Sequence, residues 1–415
     1  MYKLRDYQQR IADEGTGILS KYGVVYLAME VRCGKTLTAL EIARQMSVKK
    51  VLFLTKKKAM GSIQDDYEKF GYNKHYELTV INDESMHKLV ESFDLIIHDE
   101  HHRFGSFPKP SKGAKMFKSM YGTLPQIYLS GTISPESYSQ LYHQFWVLSS
   151  RGPWREYTNF FKWSREYVNV KKKHIRGAHT VNDYTDADKE RVLSDIAPYT
   201  ITFTQAQAGF STKVVEHILE VNMKPSTYAM CDRLLKDLVI EGKEEVILAD
   251  TPAKLQQKLH QMYSGTIKFE SGNRFVFDTS KADFIKERFK GKKIAIFYKF
   301  IGELECLQQV FGDKLTNDIP EFNADPDKWF VSQIISGREG TNLSHADYIV
   351  FYNIDFSAVS YFQAKDRMTT IDRPINEIFW LFARKGIEHN IYKSVVKKKT
   401  YTVSIFKQDF KVKSK

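Results

Sequence analysis

The first third of the chain repeats one pattern: a short apolar run that ends in polar residues, followed by a stretch of helical character. Four such runs are GVVYLAME, KVLFLTKK, FDLIIHDE and QIYLSGT, and KTLTALEIARQM and GSIQDDYEKFG lie between them. Alternation of buried strands with helices indicates a parallel sheet covered by helices on both faces. Ligands bind at the carboxyl ends of the strands in such sheets. We therefore expect one edge to carry the polar residues that follow these runs, namely Glu30, Thr55, Asp99, Glu100, Ser130, Gly131 and Thr132.

A second series of strand-like runs begins near residue 276. KIAIFYKF, KWFVSQIIS and DYIVFYNID are apolar, IGELECLQQVF between them has helical character, and IFWLFAR and YTVSIF follow. The residues between the two series are basic, partly aromatic and largely helical in character. The pattern predicts an α/β protein with two parallel-sheet lobes, at 1–150 and 276–415, and a helical, basic intervening region at 151–275.

The stretch AMEVRCGKTLTA ends like a phosphate-binding loop. Such loops follow the pattern G-x-x-x-x-G-K-[ST]; Gly34, Lys35 and Thr36 fit it, whereas Met29 occupies the place of the first glycine. The stretch follows a strand and opens a helix, so backbone N–H groups would face a β-phosphate. Lys35 would reach the β- and γ-phosphates, and Thr36 would ligate Mg²⁺. Met29 removes neither a charge nor a metal ligand, so this pattern alone leaves ATP binding undecided.

The run LIIHDEHH favours the nucleotide interpretation. Asp99 and Glu100 come directly after a buried apolar run. An ATP site needs one carboxylate to hold Mg²⁺ and a second to orient and deprotonate water. A metal cluster or a solvated turn is the alternative for HDEHH, and the phosphate loop upstream makes it the weaker one. We predict ATP and Mg²⁺ as cofactors.

Composition adds a partner class. The net charge is +12 and the pI about 9.2, which favours a polyanion such as nucleic acid or an acidic membrane. The three cysteines, Cys33, Cys231 and Cys306, allow neither a disulfide framework nor a zinc spacing, and they fit a reducing cytosol. We see no signal peptide and no apolar run of the roughly 18 residues that a membrane span needs. We expect a cytoplasmic protein with no membrane partner.

The order of the motifs resembles that of superfamily 2 helicases and translocases. LRDYQQ is similar to the adenine-reading Q motif, with Gln8 as the reader and Arg5 nearby, and AMEVRCGKT is similar to motif I. VLFLTKKKAM resembles motif Ia, VINDES motif Ib, DEHH motif II and LSGT motif III. The resemblance implies that His102 in motif II couples to Ser130 and Thr132 in motif III.

The stretch ISGREGTNLSHADYIVFYNIDFSAVSYFQAKDRMTTIDR is the most specific in the chain. It resembles motifs V and VI of the SNF2-like branch, and KKIAIFYKFIGELECL resembles motif IV of that branch. The resemblance implies two RecA-like lobes that clamp ATP·Mg²⁺, with Gly340, Gln363 and Arg367 contributed by the second lobe. Compact DNA helicases of bacteriophages are similar at this length, which would mean a host cytoplasm.

Motif VI departs from the family at one position. The second arginine of the motif is replaced by Thr370, and Arg373 lies three residues further on. Arg367 is the first candidate for the arginine that reaches the γ-phosphate, and Arg373 is the alternative. If neither arginine reaches, hydrolysis would be weak.

Two groups of residues are candidates for phosphate contacts with nucleic acid. Thr55 and Lys56 follow a strand of the first lobe. The second group lies beside a cluster of aromatic residues and consists of Lys171, Lys172, Lys173 and Arg176. The aromatic residues can stack on bases, but their spacing is also that of a helix packed on a core, which we prefer for most of them. They are Trp154, Phe160, Phe161 and Trp163.

These observations predict an ATP-hydrolysing DNA helicase or double-strand translocase that works as a monomer. Single-stranded, double-stranded and branched DNA are all candidate partners, and replication, recombination and branch migration are candidate pathways. One alternative is an RNA helicase of the same superfamily. Another is a DNA-binding clamp that is gated by ATP and turns over weakly. A metal-dependent nuclease built on HDEHH is a third and weaker alternative.

Overall fold

A computed structural model gives the structure of the chain, which divides into two units. The structure describes residues 2–175, 179–210, 213–242, 244–334, 343–357 and 375–397. Unit 1 comprises Met1–Phe210 and unit 2 comprises Ser211–Lys415. Each unit is built around its own parallel sheet.

Unit 1 contains a parallel sheet with six strands among the described residues, in the order β3-β2-β4-β5-β1-β8. The strands are apolar and buried along most of their length, as expected where helices cover both faces. A separate antiparallel hairpin is formed by β6 and β7. The strands are β1 Val24–Met29, β2 Lys50–Thr55, β3 Glu77–Asn82, β4 Leu95–His98, β5 Gln126–Leu129, β6 Lys171–Ile175, β7 His179–Asp183 and β8 Thr200–Phe203.

Three helices of unit 1 begin where a side chain accepts a hydrogen bond from one of their free N–H groups. Ser111, Asn159 and Asp188 each accept a backbone N–H in the first turn of α4, α6 and α7. The helices are α1 Asp6–Tyr22, α2 Lys35–Gln45, α3 Met60–Lys69, α4 Lys112–Tyr121, α5 Gln140–Trp146, α6 Phe160–Tyr167 and α7 Lys189–Ile196.

Unit 2 repeats the plan, with a parallel sheet of six described strands in the order β15-β16-β14-β17-β18-β9. Two short antiparallel pairs, β10 with β11 and β12 with β13, precede most of this sheet in the chain. The strands are β9 Lys213–Val221, β10 Val239–Glu241, β11 Val246–Leu248, β12 Thr266–Lys268, β13 Arg274–Val276, β14 Ile294–Tyr298, β15 Leu315–Thr316, β16 Trp329–Gln333, β17 Tyr348–Phe351 and β18 Ile375–Ala383.

The helices of unit 2 include the predicted helix in TPAKLQQKLHQMYSG, which Thr251 caps through its hydroxyl. Along the parts of both units that the structure describes, no helix is long and apolar enough to cross a bilayer. The helices are α8 Pro225–Asp237, α9 Pro252–Met262, α10 Ser280–Arg288, α11 Ile301–Phe311, α12 Ile319–Ala324 and α13 Glu388–Val396.

The two sheets confirm the predicted α/β class with two RecA-like parallel-sheet lobes, but the units differ from the predicted boundaries. β8 lies in the predicted intervening region, yet it pairs with β1 through Tyr26 and Thr200. β9 lies there as well, and it pairs with β18 along its whole length. The region 151–275 is therefore divided between the units, because its two strands complete the edges of two different sheets.

A buried ion pair ties α10 to α13 in unit 2. Lys281 and Glu388 are both fully buried, and the Lys281 ammonium donates to Glu388 Oε1 at 2.8 Å and to the Tyr352 carbonyl at 3.3 Å. Charges taken out of water are tolerated only when they are paired and hydrogen-bonded. Removal of either residue would therefore leave the other as a buried charge without a partner.

We expect Glu388→Ala to lower the free energy of unfolding of unit 2 by about 3–5 kcal/mol, because it leaves the Lys281 charge buried without its partner. Urea unfolding followed by tryptophan fluorescence measures the loss. Glu377→Ala, which removes half of a partly exposed pair with His217, is the matched control and should cost less than about 1 kcal/mol. Lys281→Met combined with Glu388→Leu should recover most of the stability, and equal losses in all three variants would contradict this assignment.

Candidate functional site

The phosphate-loop stretch lies between β1 and α2 in unit 1. β1 ends at Met29 and α2 begins at Lys35. Gly34 has a φ of +78°, and a β-carbon there would lie 2.0 Å from Gln8 Nε2. The left-handed backbone favours glycine, and a β-carbon at this position would require the Gln8 side chain to move. The structure therefore brings the predicted adenine reader, Gln8, against the phosphate loop.

The substitution of the first glycine falls in the strand rather than in the turn. Met29 is the last residue of β1, and its side chain is fully buried in the apolar core of unit 1. The left-handed positions of the loop are instead Arg32, at φ +64°, and Gly34. Lys35 donates its ammonium to the Met29 carbonyl at 2.9 Å and to the Glu30 carbonyl at 3.3 Å. A methionine is compatible with this loop because its backbone is extended and its side chain fills the core.

Gln205, near the end of unit 1, holds the loop through hydrogen bonds, and the sequence patterns did not indicate it. The Gln205 backbone N–H donates to Glu30 Oε2 at 2.7 Å, and its side-chain amide donates to the Val31 carbonyl at 3.1 Å. The Glu30 backbone N–H donates to the Phe203 carbonyl at 2.9 Å. Gln205 follows β8, which pairs with β1, and this strand pairing brings it to the loop. No local motif could have indicated it, because it lies far from the loop in sequence.

The two predicted carboxylates lie at the carboxyl edge of the same sheet. β4, which ends at His98, runs between β2 and β5, and Asp99 follows it. The Thr55 hydroxyl donates to Asp99 Oδ2 at 2.9 Å. Burial, and next the charge of Glu100, raise the pKa of Asp99 to about 7, against the lowering effects of Lys35 and Thr55. The Asp99 carboxyl is thus buried, hydrogen-bonded to Thr55 and adjacent to a second carboxyl.

Glu100 differs in its surroundings and its acidity. Its backbone is left-handed, at φ +49°, which is uncommon for a residue with a side chain. Burial opposes its ionisation, but the hydrogen bond and charge of His102, with Lys35 and Lys56, lower the pKa of Glu100 to about 2. Of the two neighbouring carboxyls, Glu100 is therefore the one that ionises first.

Motifs II and III are joined through His102. Its Nδ1 lies 3.1 Å from Glu100 Oε2 and 2.9 Å from Ser130 Oγ. Ser130 Oγ donates to the Thr132 carbonyl at 2.9 Å and accepts the Thr132 N–H at 3.1 Å. Because Ser130 Oγ already donates to the Thr132 carbonyl, the contact with Ser130 assigns a proton to His102 Nδ1, which donates to Ser130 Oγ and lies at ion-pair distance from Glu100 Oε2. The three predicted coupling residues are brought together.

The other two histidines of HDEHH belong to the core. His98 and His101 are fully buried, with their Nδ1 atoms 2.6 Å apart, and His101 Nε2 lies 2.8 Å from the Gln144 carbonyl. The His101 ring stacks on Tyr128 at 3.4 Å between centroids. Within the described ranges, no three His, Cys, Asp or Glu side chains are grouped to hold a metal ion.

The residues predicted to contact nucleic acid differ in their exposure to solvent. Thr55 is only 1% exposed and its hydroxyl is bound to Asp99, so the prediction that it contacts phosphate is wrong for its side chain. Lys56 is half-buried beside the carboxylates. Lys171 and Lys172 lie exposed on β6. Nothing is described of the Lys173 side chain, and Arg176 lies outside the described residues.

The aromatic cluster beside these lysines is mostly core, as expected. Trp154, Phe160 and Trp163 are buried, whereas Phe161 is 44% exposed. Several predicted residues of the second lobe lie outside the described residues, so their roles stay predictions; they are Gly340, Gln363, Arg367 and Arg373.

Comparison with known proteins gives a partial match to the first unit. The family model "Type III restriction enzyme, res subunit" matches residues 1–134. Helicase ssl-1 of Caenorhabditis elegans is 36% identical over 80 residues, which are 19% of this chain and 3% of that protein. The residues that the family model matches lie in unit 1, which also contains the phosphate-loop stretch and both carboxylates.

Solved structures are similar over nearly the whole chain, at low identity. The SWI2/SNF2 ATPase core of Sulfolobus solfataricus in complex with dsDNA is 17% identical, with a TM-score of 0.40, over 98% of this chain and 92% of that chain. The same ATPase core domain without the DNA is 15% identical, with a TM-score of 0.42, over 96% and 89%. The fold class rests on the two sheets themselves.

We expect Gln205→Ala to weaken nucleotide binding about five- to tenfold, since a hydrogen bond that positions the loop contributes about 1–1.5 kcal/mol. Titration with a fluorescent ATP analogue measures the dissociation constant. Gln64→Ala, which removes an exposed amide on α3, is the matched control and should leave binding unchanged. Equal affinity in the Gln205 variant and the control would show that the brace does not position the loop.

Proposed function

We propose that the protein is an ATP-dependent DNA motor, a helicase or a double-strand translocase. One observation carries the proposal: the phosphate-loop stretch before α2 and the carboxylates that follow β4 lie at the carboxyl edge of one parallel sheet, where the charge of Lys35 acts on both Asp99 and Glu100. The phosphate-loop lysine and the carboxylate pair therefore act on the same small volume at one sheet edge. The family match over residues 1–134 supports the same conclusion.

Each of these residues would have a separate role in ATP hydrolysis. The N–H groups of the first turn of α2 have no acceptors within the helix and would face the phosphates. Lys35 would exchange its two carbonyl partners for phosphate oxygens. Glu100, ionised at neutral pH, would accept a proton from the attacking water. His102 would hold the Glu100 carboxylate in place. Gln8, with Arg5 near it, would contact the base.

The donor set beside the loop fits Mg²⁺. Thr36 supplies a hydroxyl and Asp99 a carboxylate, and Mg²⁺ takes oxygen ligands. Asp99 follows β4 at the carboxyl edge of the sheet that also carries the loop before α2. When bound, the ion would neutralise charge on the phosphates.

DNA is the partner that we propose. The net charge of +12 suits a polyanion. The choice of DNA over RNA rests on the motif V and VI resemblance in residues 335–373, and the likeness to compact bacteriophage helicases rests on the length of the chain. His102 and Ser130 would pass the nucleotide state toward motif III, which is how hydrolysis would be coupled to movement. Both lobes are present in one chain, so a monomer suffices.

We expect Lys35→Ala and Glu100→Gln to abolish ATP turnover for different reasons. Lys35→Ala removes a phosphate contact and should also weaken ATP binding, whereas Glu100→Gln removes the proton acceptor and should leave ATP binding largely intact. Steady-state phosphate release and nucleotide titration separate the two effects. Glu68→Gln on α3 is the control for a charge change. Turnover that persists in either variant would contradict the site assignment.

The function itself is tested by the ATP hydrolysis rate without nucleic acid and with single-stranded DNA, duplex DNA or RNA. We expect DNA to stimulate hydrolysis at least tenfold, and DNA affinity to fall steeply between 50 and 200 mM salt, because phosphate contacts release counterions. Preferential stimulation by RNA would support the RNA helicase instead. Tight DNA binding without turnover would support the ATP-gated clamp.

A further inference from the structure

The hairpin β6–β7 of unit 1 has two chemically different faces. Lys171 lies opposite Asp183, and directly opposed residues of an antiparallel pair share a face. The Lys171 ammonium is 2.7 Å from Asp186 Oδ2. On this face the lysine is thus already engaged by a carboxylate, which lowers its availability to a phosphate.

The opposite face carries a lysine beside aromatic rings. Lys172 lies opposite Asn182, whose side-chain amide donates to the Tyr184 hydroxyl at 3.2 Å. The Tyr184 ring in turn lies 6.0 Å from the ring of Phe161, at an interplanar angle of 71°. Lys172, Asn182, Tyr184 and Phe161 therefore form one continuous surface, which we term the aromatic platform.

Phe161 is the aromatic residue of α6 that is not buried in the core. Phe160, Trp163 and Tyr167 face inward and are at most 5% exposed, whereas Phe161 is 44% exposed. Its neighbour Lys162 is exposed as well. Leaving a large apolar ring in water is unfavourable, and the exposed ring is followed in the chain by the exposed Lys162.

Hydrogen bonds to the backbone hold the platform in place. The Tyr184 carbonyl accepts from Ser139 Oγ at 2.5 Å, and the Thr185 carbonyl accepts from Ser137 Oγ at 2.8 Å. Beneath it, the buried Phe160 contacts the Tyr184 ring at 5.3 Å. The rings are therefore fixed before any ligand arrives, which lowers the entropy cost of binding.

We propose that the aromatic platform binds an unpaired base of single-stranded DNA, with Phe161 stacked on the base and Lys172 and Lys162 on the flanking phosphates. This inference rests on the proposed DNA motor, and it adds that the motor holds a separated strand. Every base has a face that an aromatic ring can cover, so such stacking is tolerant of sequence. In a duplex those faces are covered by neighbouring base pairs.

The first test is a nucleotide-free titration of the full chain with a single strand that contains 2-aminopurine, and with a matched duplex. Phe161→Ala should weaken single-strand binding at least fivefold and change duplex binding less than twofold. Phe161→Tyr should retain the affinity and Phe161→Leu should not, because stacking needs a ring. Phe275→Ala, at a ring of unit 2 that is 55% exposed, is the matched control.

A second test separates the two faces of the hairpin. Lys172→Ala should reduce the slope of log affinity against log salt by about one for the single strand, because one phosphate contact is lost. Lys171→Ala, the neighbouring lysine bound to Asp186, should leave the slope unchanged. Equal effects of the two variants would overturn the assignment of the ligand to one face.

Failure of the proposal is distinguishable from failure of the proposed function. The titrations contain no nucleotide, so they measure the platform whether or not the protein hydrolyses ATP. Equal weakening of single-strand and duplex binding by Phe161→Ala, or no weakening of either, would overturn base stacking. Loss of self-association in sedimentation, with DNA affinity unchanged, would assign the platform to a protein contact instead.

Discussion

The candidate site depends on the burial of two adjacent carboxylates, Asp99 and Glu100, at the end of a central strand. Burying such groups is unfavourable unless hydrogen bonds and opposite charges compensate. The hydroxyl of Thr55 bonds Asp99, the imidazole of His102 bonds Glu100, and Lys35 acts on both. Each partner comes from a different segment of unit 1. The sheet order brings the segments together, so the electrostatics of the site follow from the topology.

The phosphate loop illustrates how a departure from a motif is accommodated by its position. Met29 stands where a glycine is usual, but it closes a buried strand and needs no left-handed backbone. The conformational demand falls on Arg32 and Gly34. The Lys35 ammonium and Gln205 hold the loop's carbonyl groups. A motif match judged by letters alone would have weighed Met29 more heavily than the backbone does.

Motif residues and chain-distant residues differ in how far the sequence could reveal them. Asp99, Glu100, His102 and Ser130 could be predicted, because each follows an apolar strand and such ends share one edge of a parallel sheet. Gln205 could not, because its role depends on the pairing of β8 with β1. Thr55 was predicted at the correct edge but with the wrong partner, since its rotamer is directed to Asp99.

The sequence by itself determined the two α/β series, the phosphate loop and the carboxylate pair, because buried strands and helix starts can be predicted from local residue patterns. Only the tertiary structure decided where the units divide, since the strands of residues 200–221 complete two different sheets. It also decided which lysine of the hairpin is engaged by Asp186 and which lies opposite Asn182, whose amide donates to the Tyr184 hydroxyl. The number of charged and aromatic residues is a property of a segment. The face of the sheet that each side chain occupies depends on strand register, because successive side chains of a strand point to opposite faces.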